Sequence, residues 1–217
     1  MTANVLPQIR DFVEVAISNL VQIEENLHKL GYKFANKGGA VKRIPPNTNS
    51  ALAELREEFE LIPNLFATWY DCVEYVDFSQ DESQLLEPCE IPVAGLGLNC
   101  TLVFESLSTR QRRQSLLESA GFMCRRAEGD EFIPLGTYAS NSTPKGLWLP
   151  DTSSDPVIYD AGAGPMSMSD EITLAIRAGG FPFWERMFTK RRISSPIPNM
   201  PRFREILPAL LEGVVAM

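Results

Sequence analysis

The spacing of apolar residues changes along this chain from a helical pattern to a strand pattern. Before residue 91, apolar side chains recur every three or four positions, which predicts amphipathic helices over residues 4–30, over residues 51–60 and from Pro63 onward. After residue 91, short runs of β-branched, aromatic and other apolar residues predict strands at LNCTLVF, EFIPLGTY, GLWLP and DPVIYD. Helices first and strands later favour an α+β fold. We therefore predict one mixed, mainly antiparallel sheet that is covered by helices, with an N-terminal helical extension.

Breaks in these patterns indicate how the chain is organised. Gly31 follows the first predicted helix and is a natural left-handed residue at which to end it. The connector NKGGAVKRIPPNTNS then runs to Ser50, which we predict to be the N-cap of the second helix. Because this connector is rich in turn residues, it would separate an N-terminal arm from the main body. We predict a single domain with residues 1–49 as helix and linker, 50–193 as the core and 194–217 as a tail and helix.

Helix signals also occur in the second half of the chain. Ser108 and Gln111 form a capping box, which predicts a helix that starts there. Ser169 is the predicted N-cap of another helix, which stops at a pair of glycines. A last helix is predicted after Pro201, and we expect Pro208 to kink it or to end it early.

Acidic residues are concentrated in one segment. Between residues 54 and 90 the chain has eleven acidic side chains and one basic one, a net charge of −10, whereas the whole chain has a net charge of −8. Nucleic acid and anionic membranes would be repelled by such a protein, so we predict neither as a partner. A concentrated negative field favours a basic protein partner.

Six carboxylates are the candidate partner-binding residues. On the second predicted helix, the i, i+3, i+4 spacing puts three glutamates on the face opposite the apolar residues. The third predicted helix carries the other three acids, and two such helices packed as a hairpin would hold their charges within about 8 Å, one Debye length. The candidates are Glu54, Glu57, Glu58, Asp71, Glu74 and Asp77. The alternative interpretation is that these acids only solvate two amphipathic helices.

Catalytic and cofactor signals are weak. His28 is the sole histidine, and its place near the end of the first predicted helix favours an interaction with terminal carbonyls. The four cysteines are isolated, without a C-x-x-C pair, so we predict no metal site. The segments AGLGLN and DAGAGP do not extend into a phosphate-binding motif, and no G-x-S-x-G sequence occurs. We therefore predict no cofactor and no enzymatic activity.

The N-terminal sequence and the longest apolar runs bear on localisation. The segment MTANVLPQIRDFVEV has no basic stretch followed by an unbroken apolar run, so we expect no secretory signal. No apolar run approaches the roughly 20 residues that a membrane span needs. We predict a cytoplasmic protein without a membrane partner.

Three segments, spread over about residues 50 to 190, resemble the SUKH superfamily in their order and spacing. They are LAELREEFELIPNLFATWYDCVEYVDF, PKGLWLPDTSSDPVIYD and SDEITLAIRAGGFPFWERM. This superfamily includes proteins similar to yeast cell-wall-assembly regulators and many bacterial immunity proteins. The resemblance implies an α+β fold with one sheet packed against helices. It also implies binding and neutralisation of toxin domains, often nucleases, or scaffolding in regulatory assemblies, and it implies no catalytic residues.

The charge pattern and the resemblance lead to one functional hypothesis. We predict a non-enzymatic, cytoplasmic immunity protein that neutralises a cognate bacterial toxin, for example a nuclease, through an acidic surface. A scaffold or adaptor in a regulatory complex is the first alternative, and a carboxylate-dependent hydrolase is a distant one. The sequence leaves the oligomeric state open.

Overall fold

The fold was analysed in a computed structural model, which describes residues 5–85, 101–109, 130–137, 144–160, 164–182 and 200–217. The helices in these ranges are α1 (Val5–Lys29), α2 (Ser50–Glu58), α3 (Asn64–Cys72), α4 (Glu82–Leu85), α5 (Met168–Arg177) and α6 (Met200–Leu210). None of the helices in the described ranges is long and apolar enough to cross a membrane.

The strands form two antiparallel sheets. The first sheet has the order β1-β2-β3, and its strands are β1 (Val41–Arg43), β2 (Val73–Asp77) and β3 (Val103–Phe104). The second has the order β4-β5-β6-β7, with strands β4 (Glu131–Thr137), β5 (Pro144–Leu149), β6 (Val157–Asp160) and β7 (Met166–Ser167). In each sheet, therefore, every strand pairs antiparallel with the strand that follows it in the sequence.

The predicted α+β fold is confirmed, and each of the four predicted strand segments contains an observed strand. The strands are divided over two sheets that meet at β3 and β4. There the backbone N–H of Glu105 donates to the carbonyl of Leu135 at 2.6 Å. A Cβ added to Gly136 would lie 2.9 Å from the carbonyl oxygen of Val103, so the two backbones approach closely at this junction.

Helix α1 is part of the core. Its apolar residues recur at helical spacing and are fully buried: Val13, Ala16, Ile17, Leu20, Ile23 and Leu27. The helix contacts α3, α5, α6 and β1, and it ends as predicted beside Gly31, whose φ is 83°. The expectation of a separate N-terminal arm is therefore corrected, because helices from both halves of the chain pack on this one.

Two asparagines of α1 hold the C-terminal residues of the described chain. The Asn26 side-chain amide donates to the carbonyls of Leu210 and Glu212 at 3.0 and 2.8 Å. Asn19 donates to the carbonyl of Val215 and accepts from its N–H, both at 2.8 Å. Asn19 and Asn26 are 2% and 3% exposed, so these hydrogen bonds satisfy polar groups that would otherwise be buried without partners.

The N-cap of α2 is Asn49, one residue before the predicted Ser50. The Asn49 side-chain oxygen accepts from the Leu52 N–H at 3.1 Å, and its amide donates to the Tyr70 carbonyl at 2.9 Å. Serine and asparagine are both good caps, so spacing alone left one residue of ambiguity. The bond to Tyr70 also ties α2 to α3, which Ser50 does not do in this structure.

Replacing Asn49 with alanine is expected to lower the free energy of unfolding by about 1 kcal/mol, because the helix loses its cap. The measurement is urea unfolding followed by circular dichroism. Ser50→Ala is the matched control and should change the free energy of unfolding by less than about 0.5 kcal/mol. Equal effects of the two substitutions would contradict the assigned cap.

The third predicted helix is shorter than expected. Helix α3 ends at Cys72, and the chain continues directly as the central strand β2, where Val76 pairs with Val41 on one side and Phe104 on the other. Val73 and Val76 are buried, as the helical spacing had suggested. The helical prediction is wrong here because burial of these valines is satisfied equally by a strand, and β-branched residues favour that state.

The later helices agree with the predictions in position and differ in their caps. Helix α5 is capped by Ser167, whose hydroxyl accepts from the Asp170 N–H, and Ser169 instead hydrogen-bonds Asp155. Helix α6 contains Pro208 and continues to Leu210. The helix predicted after Ser108 lies outside the described residues, except for a short 3₁₀ turn at Leu107–Thr109.

Candidate docking surface

The exposed face of α2 carries three of the six predicted carboxylates. Leu52 and Leu55 point into the core and are at most 1% exposed. On the opposite face, Glu54, Glu57 and Glu58 are all exposed. This face is therefore acidic because the buried leucines fix the rotation of the helix about its axis.

The single base in the acidic segment turns away from these glutamates. Arg56 makes two hydrogen bonds to the Asp71 carboxylate, the shorter one 2.8 Å from Nη2 to Oδ2. This ion pair joins α2 to α3. Asp71 is consequently neutralised within the molecule, and the guanidinium of Arg56 is held on α3.

Glu74 and Asp77 lie on strand β2, so the predicted placement of both on a helix is wrong. Glu74 forms an ion pair with Lys42 of β1, with 2.8 Å between Oε2 and Nζ. The hydrogen bond to Glu74 and the negative charge of that carboxylate raise the pKa of Lys42. Asp77 accepts a hydrogen bond from the N–H of Ser79 at 2.9 Å. The structure thus divides the six candidates: three glutamates lie on the exposed face of α2, and the other three carboxylates lie on α3 and β2.

The end of α2 is connected to a second surface feature. After α2 the chain runs through exposed Glu60 and Leu61, and Leu61 is 45% exposed. The Leu61 carbonyl accepts from the Asp151 N–H at 3.2 Å. This bond joins the segment after α2 to the loop of residues 150–156, which leads into β6.

That loop forms one wall of a groove of about 160 Å³. Its apolar side is made by Ile9 and Phe12 of α1 and Leu65 of α3. Its polar side consists of Gln8, Ser154, Asp155 and Ser169. Asp155 is the one charged residue among the described residues that line this groove, which is therefore apolar with an acidic edge.

The groove is held by hydrogen bonds between its walls. The Leu65 N–H at the start of α3 donates to the Ser154 carbonyl at 2.9 Å. The Ser169 N–H donates to Asp155 Oδ1 at 3.1 Å, and the Ser169 hydroxyl donates to Oδ2. Three segments distant in sequence are thereby fixed against one another.

Within the described ranges, no group of three or more His, Cys, Asp or Glu residues could hold a metal ion. His28 lies in the last turn of α1, is exposed, and packs its ring edge-on against Phe34 at 4.9 Å between centroids. The predicted role of His28 at the helix end is compatible with this position.

No family model matches this chain, and no curated protein and no solved structure matches it either.

Sequence reasoning missed the groove. Ile9, Leu65 and Asp155 belong to three segments that lie 56 and 90 positions apart in the sequence, and their convergence depends on the packing of α1 against α3 and α5. One signal was present: Phe12 and Ile9 belong to the apolar stripe of α1 but are only partly buried. Another surface must pack against the partly buried end of such a stripe, but the spacing of the apolar residues does not indicate which surface this is.

Proposed function

We propose that this chain is a non-enzymatic protein-binding module that docks a basic protein on the exposed face of α2. The observation that carries the proposal is the placement of Glu54, Glu57 and Glu58 on one solvent-exposed face. Arg56 does not counter them across that face, because its guanidinium is paired with Asp71. Residues one turn apart on a helix lie about 5–6 Å from one another at Cβ, so the three charges act on a partner together.

Such a surface recognises cationic proteins by charge complementarity. Acidic patches raise the association rate of a basic partner and disfavour acidic competitors. A nuclease has a basic substrate cleft because it must bind phosphates. Together with the resemblance to the SUKH superfamily, this supports a cytoplasmic immunity protein whose cognate toxin is a nuclease.

The six candidate residues contribute unequally under this proposal. Glu54, Glu57 and Glu58 are the primary contacts because all three are exposed on one face of α2. Asp71 and Glu74 contribute less because their side chains are only 22% and 35% exposed and are paired with Arg56 and Lys42. Asp77 contributes less because its carboxylate is engaged by the backbone of Ser79 and it is only partly exposed.

Charge reversal tests the proposal. The triple variant Glu54→Lys, Glu57→Lys, Glu58→Lys should weaken binding to the partner at least about tenfold, because attraction at three positions becomes repulsion. The partner is identified by co-purification with the tagged protein from its native cells, and the binding is then measured with both purified proteins. The association rate of the wild type should also fall as NaCl is raised from about 50 to about 500 mM.

A second triple variant is the matched control. Glu25→Lys, Glu205→Lys and Glu212→Lys change the net charge by the same amount at exposed positions outside α2. This control should bind the partner within about threefold of the wild type. If both triple variants weaken binding equally, or if neither does, the α2 face is not the docking surface. A purified partner without toxic activity would redirect the proposal to a scaffold in a regulatory complex.

A further inference from the structure

The groove beside the 150–156 loop has the size of one aromatic ring. Its volume is about 160 Å³. An apolar protein cavity of about 150 Å³ accommodates benzene. The groove is open at Gln8 and Ser154, which are exposed, so a side chain from outside can enter it.

The groove has one apolar and one acidic side. Ile9, Phe12 and Leu65 supply carbon surface for a ring. The Asp155 carboxylate is oriented by its two hydrogen bonds from Ser169, and both of these donors are neutral. Neither of these hydrogen bonds brings a cationic side chain to the carboxylate, which lies at the groove edge where a cation of a partner can approach it.

Further carboxylates lie close in sequence to the lining residues. Asp170 follows Ser169, Asp11 precedes Phe12 and Arg10 follows Ile9, and all three are exposed, so these neighbours together carry one net negative charge. No lysine or arginine is among the described residues that line the groove. An aromatic side chain flanked by acidic residues would meet like charge here, whereas one flanked by basic residues would meet opposite charge.

We infer that this groove receives a phenylalanine side chain flanked by lysine or arginine, presented by the basic protein partner. The inference rests on the proposed protein-binding function and adds the recognition element of the partner. The hydrogen bond between Leu61 and Asp151 connects the segment after α2 with the groove loop, so one partner can engage both features. The ring supplies an apolar anchor, and the acidic α2 face supplies long-range attraction.

Three short peptides are the probes. Acetyl-Lys-Phe-Lys-amide has the proposed chemistry, acetyl-Lys-Ala-Lys-amide lacks the ring, and acetyl-Glu-Phe-Glu-amide reverses the charge. Each is titrated into the isotope-labelled full chain, and binding is followed by NMR at the methyl groups of Ile9 and Leu65 and the amide of Ser169. We expect saturable shifts with the first peptide and binding at least about tenfold weaker with the other two.

A groove-filling variant provides the control on location. Ser154→Tyr places a ring in the groove from an exposed position and should weaken binding of the first peptide about tenfold. Thr152→Tyr adds the same ring two residues away, at an exposed position outside the lining, and should bind as the wild type does. Should Ser154→Tyr fail to fold by circular dichroism, Gln8→Tyr fills the groove from α1 instead.

The outcomes separate this inference from the proposed function. If the lysine-containing peptides shift only NMR signals of α2, the inference about the groove is overturned, whereas the proposed role of the acidic α2 face is retained. Equal binding of the phenylalanine and alanine peptides, or unchanged binding to Ser154→Tyr, would also overturn it. Groove shifts that depend on protein concentration without peptide would show that a second copy occupies the groove, and would overturn it as well. Groove binding that persists in the α2 triple variant would support this inference even if the α2 proposal failed.

Discussion

Replacing Lys145 with methionine is expected to lower the free energy of unfolding by about 3–5 kcal/mol, because it removes the cation from a buried ion pair. Lys145 of β5 is 4% exposed and Glu171 of α5 is 1% exposed. Lys145 Nζ lies 3.4 Å from Glu171 Oε1 and 4.3 Å from the centre of the Phe104 ring. Methionine is unbranched, only one heavy atom shorter than lysine, and packs well on an aromatic ring, so most of the effect comes from the lost charge.

The position of Lys145 explains why the effect should be large. Phe104 belongs to β3 of the first sheet, Lys145 to β5 of the second, and Glu171 to the helix that follows β7. The ammonium therefore joins both sheets and α5 at one buried point. A carboxylate that loses such a cation remains in an environment with few ways to be solvated.

Lys42→Met is the matched control for this experiment. Lys42 also pairs with a glutamate, at the shorter distance of 2.8 Å, and lies 6.0 Å from the centre of the Tyr75 ring. Its side chain is 50% exposed, so water and salt screen the pair. The midpoint of urea unfolding should fall strongly for Lys145→Met and remain close to the wild type for Lys42→Met.

A double variant distinguishes lost charge from lost packing. Adding Glu171→Leu to Lys145→Met also removes the carboxylate of the pair and should recover at least half of the lost free energy of unfolding. The buried pair does not have the assigned role if the double variant is less stable than Lys145→Met. The same holds if Lys145→Met unfolds at the same urea concentration as the wild type.

Shortening Leu20 to alanine is expected to lower the free energy of unfolding by about 2–5 kcal/mol, because it leaves a cavity under α1. Leu20 is 0% exposed and belongs to the main core cluster. If α1 were a detachable arm, the loss would be small and would not reduce the cooperativity or midpoint for the rest of the chain. Urea unfolding followed by both circular dichroism and tryptophan fluorescence measures the effect.

Val15→Ala is the control for Leu20→Ala. Val15 is on the same helix and is 38% exposed, so its truncation should change the free energy of unfolding by less than about 0.5 kcal/mol. The two spectroscopic signals should give the same midpoint for both variants, since α1 and the sheets unfold together. A separate early transition in the circular dichroism of either variant would contradict an integral α1.

Long amphipathic patterns were sufficient to predict much of the fold. The stripe of α1 is regular over many turns, and Gly31 ends it as expected. The segment EFIPLGTY follows Gly129 and Asp130 in the sequence and contains β4. In both places, local propensity and tertiary burial favour the same state.

The prediction was wrong where one spacing of apolar residues is compatible with both a helix and a strand. Phe66, Trp69, Val73 and Val76 fit one helical face, and all are buried. Yet the helix ends after Cys72, because the second half of this stretch pairs with β1 and β3. Strand pairing depends on partners more than 25 residues away, and no local pattern contains that information.

The arrangement of the candidate docking surface was predictable only in part. The three glutamates of α2 follow from helical arithmetic once Leu52 and Leu55 are assigned to the core. The pairing of Arg56 with Asp71 spans 15 positions and depends on how α2 packs against α3. The groove depends on three segments brought together by the fold, so only coordinates could reveal it.

The hydrogen bonds between the two asparagines of α1 and the C-terminal residues have a consequence for synthesis on the ribosome. Asn19 and Asn26 emerge early, but their backbone partners at Leu210, Glu212 and Val215 are made more than 180 positions later. At a translation rate of about 5–20 residues per second, the acceptors of these two side-chain amides are synthesised roughly ten to forty seconds after the amides themselves. The native packing of the first helix is thus completed only after translation has passed residue 215, and a nascent chain must keep that helix soluble until then.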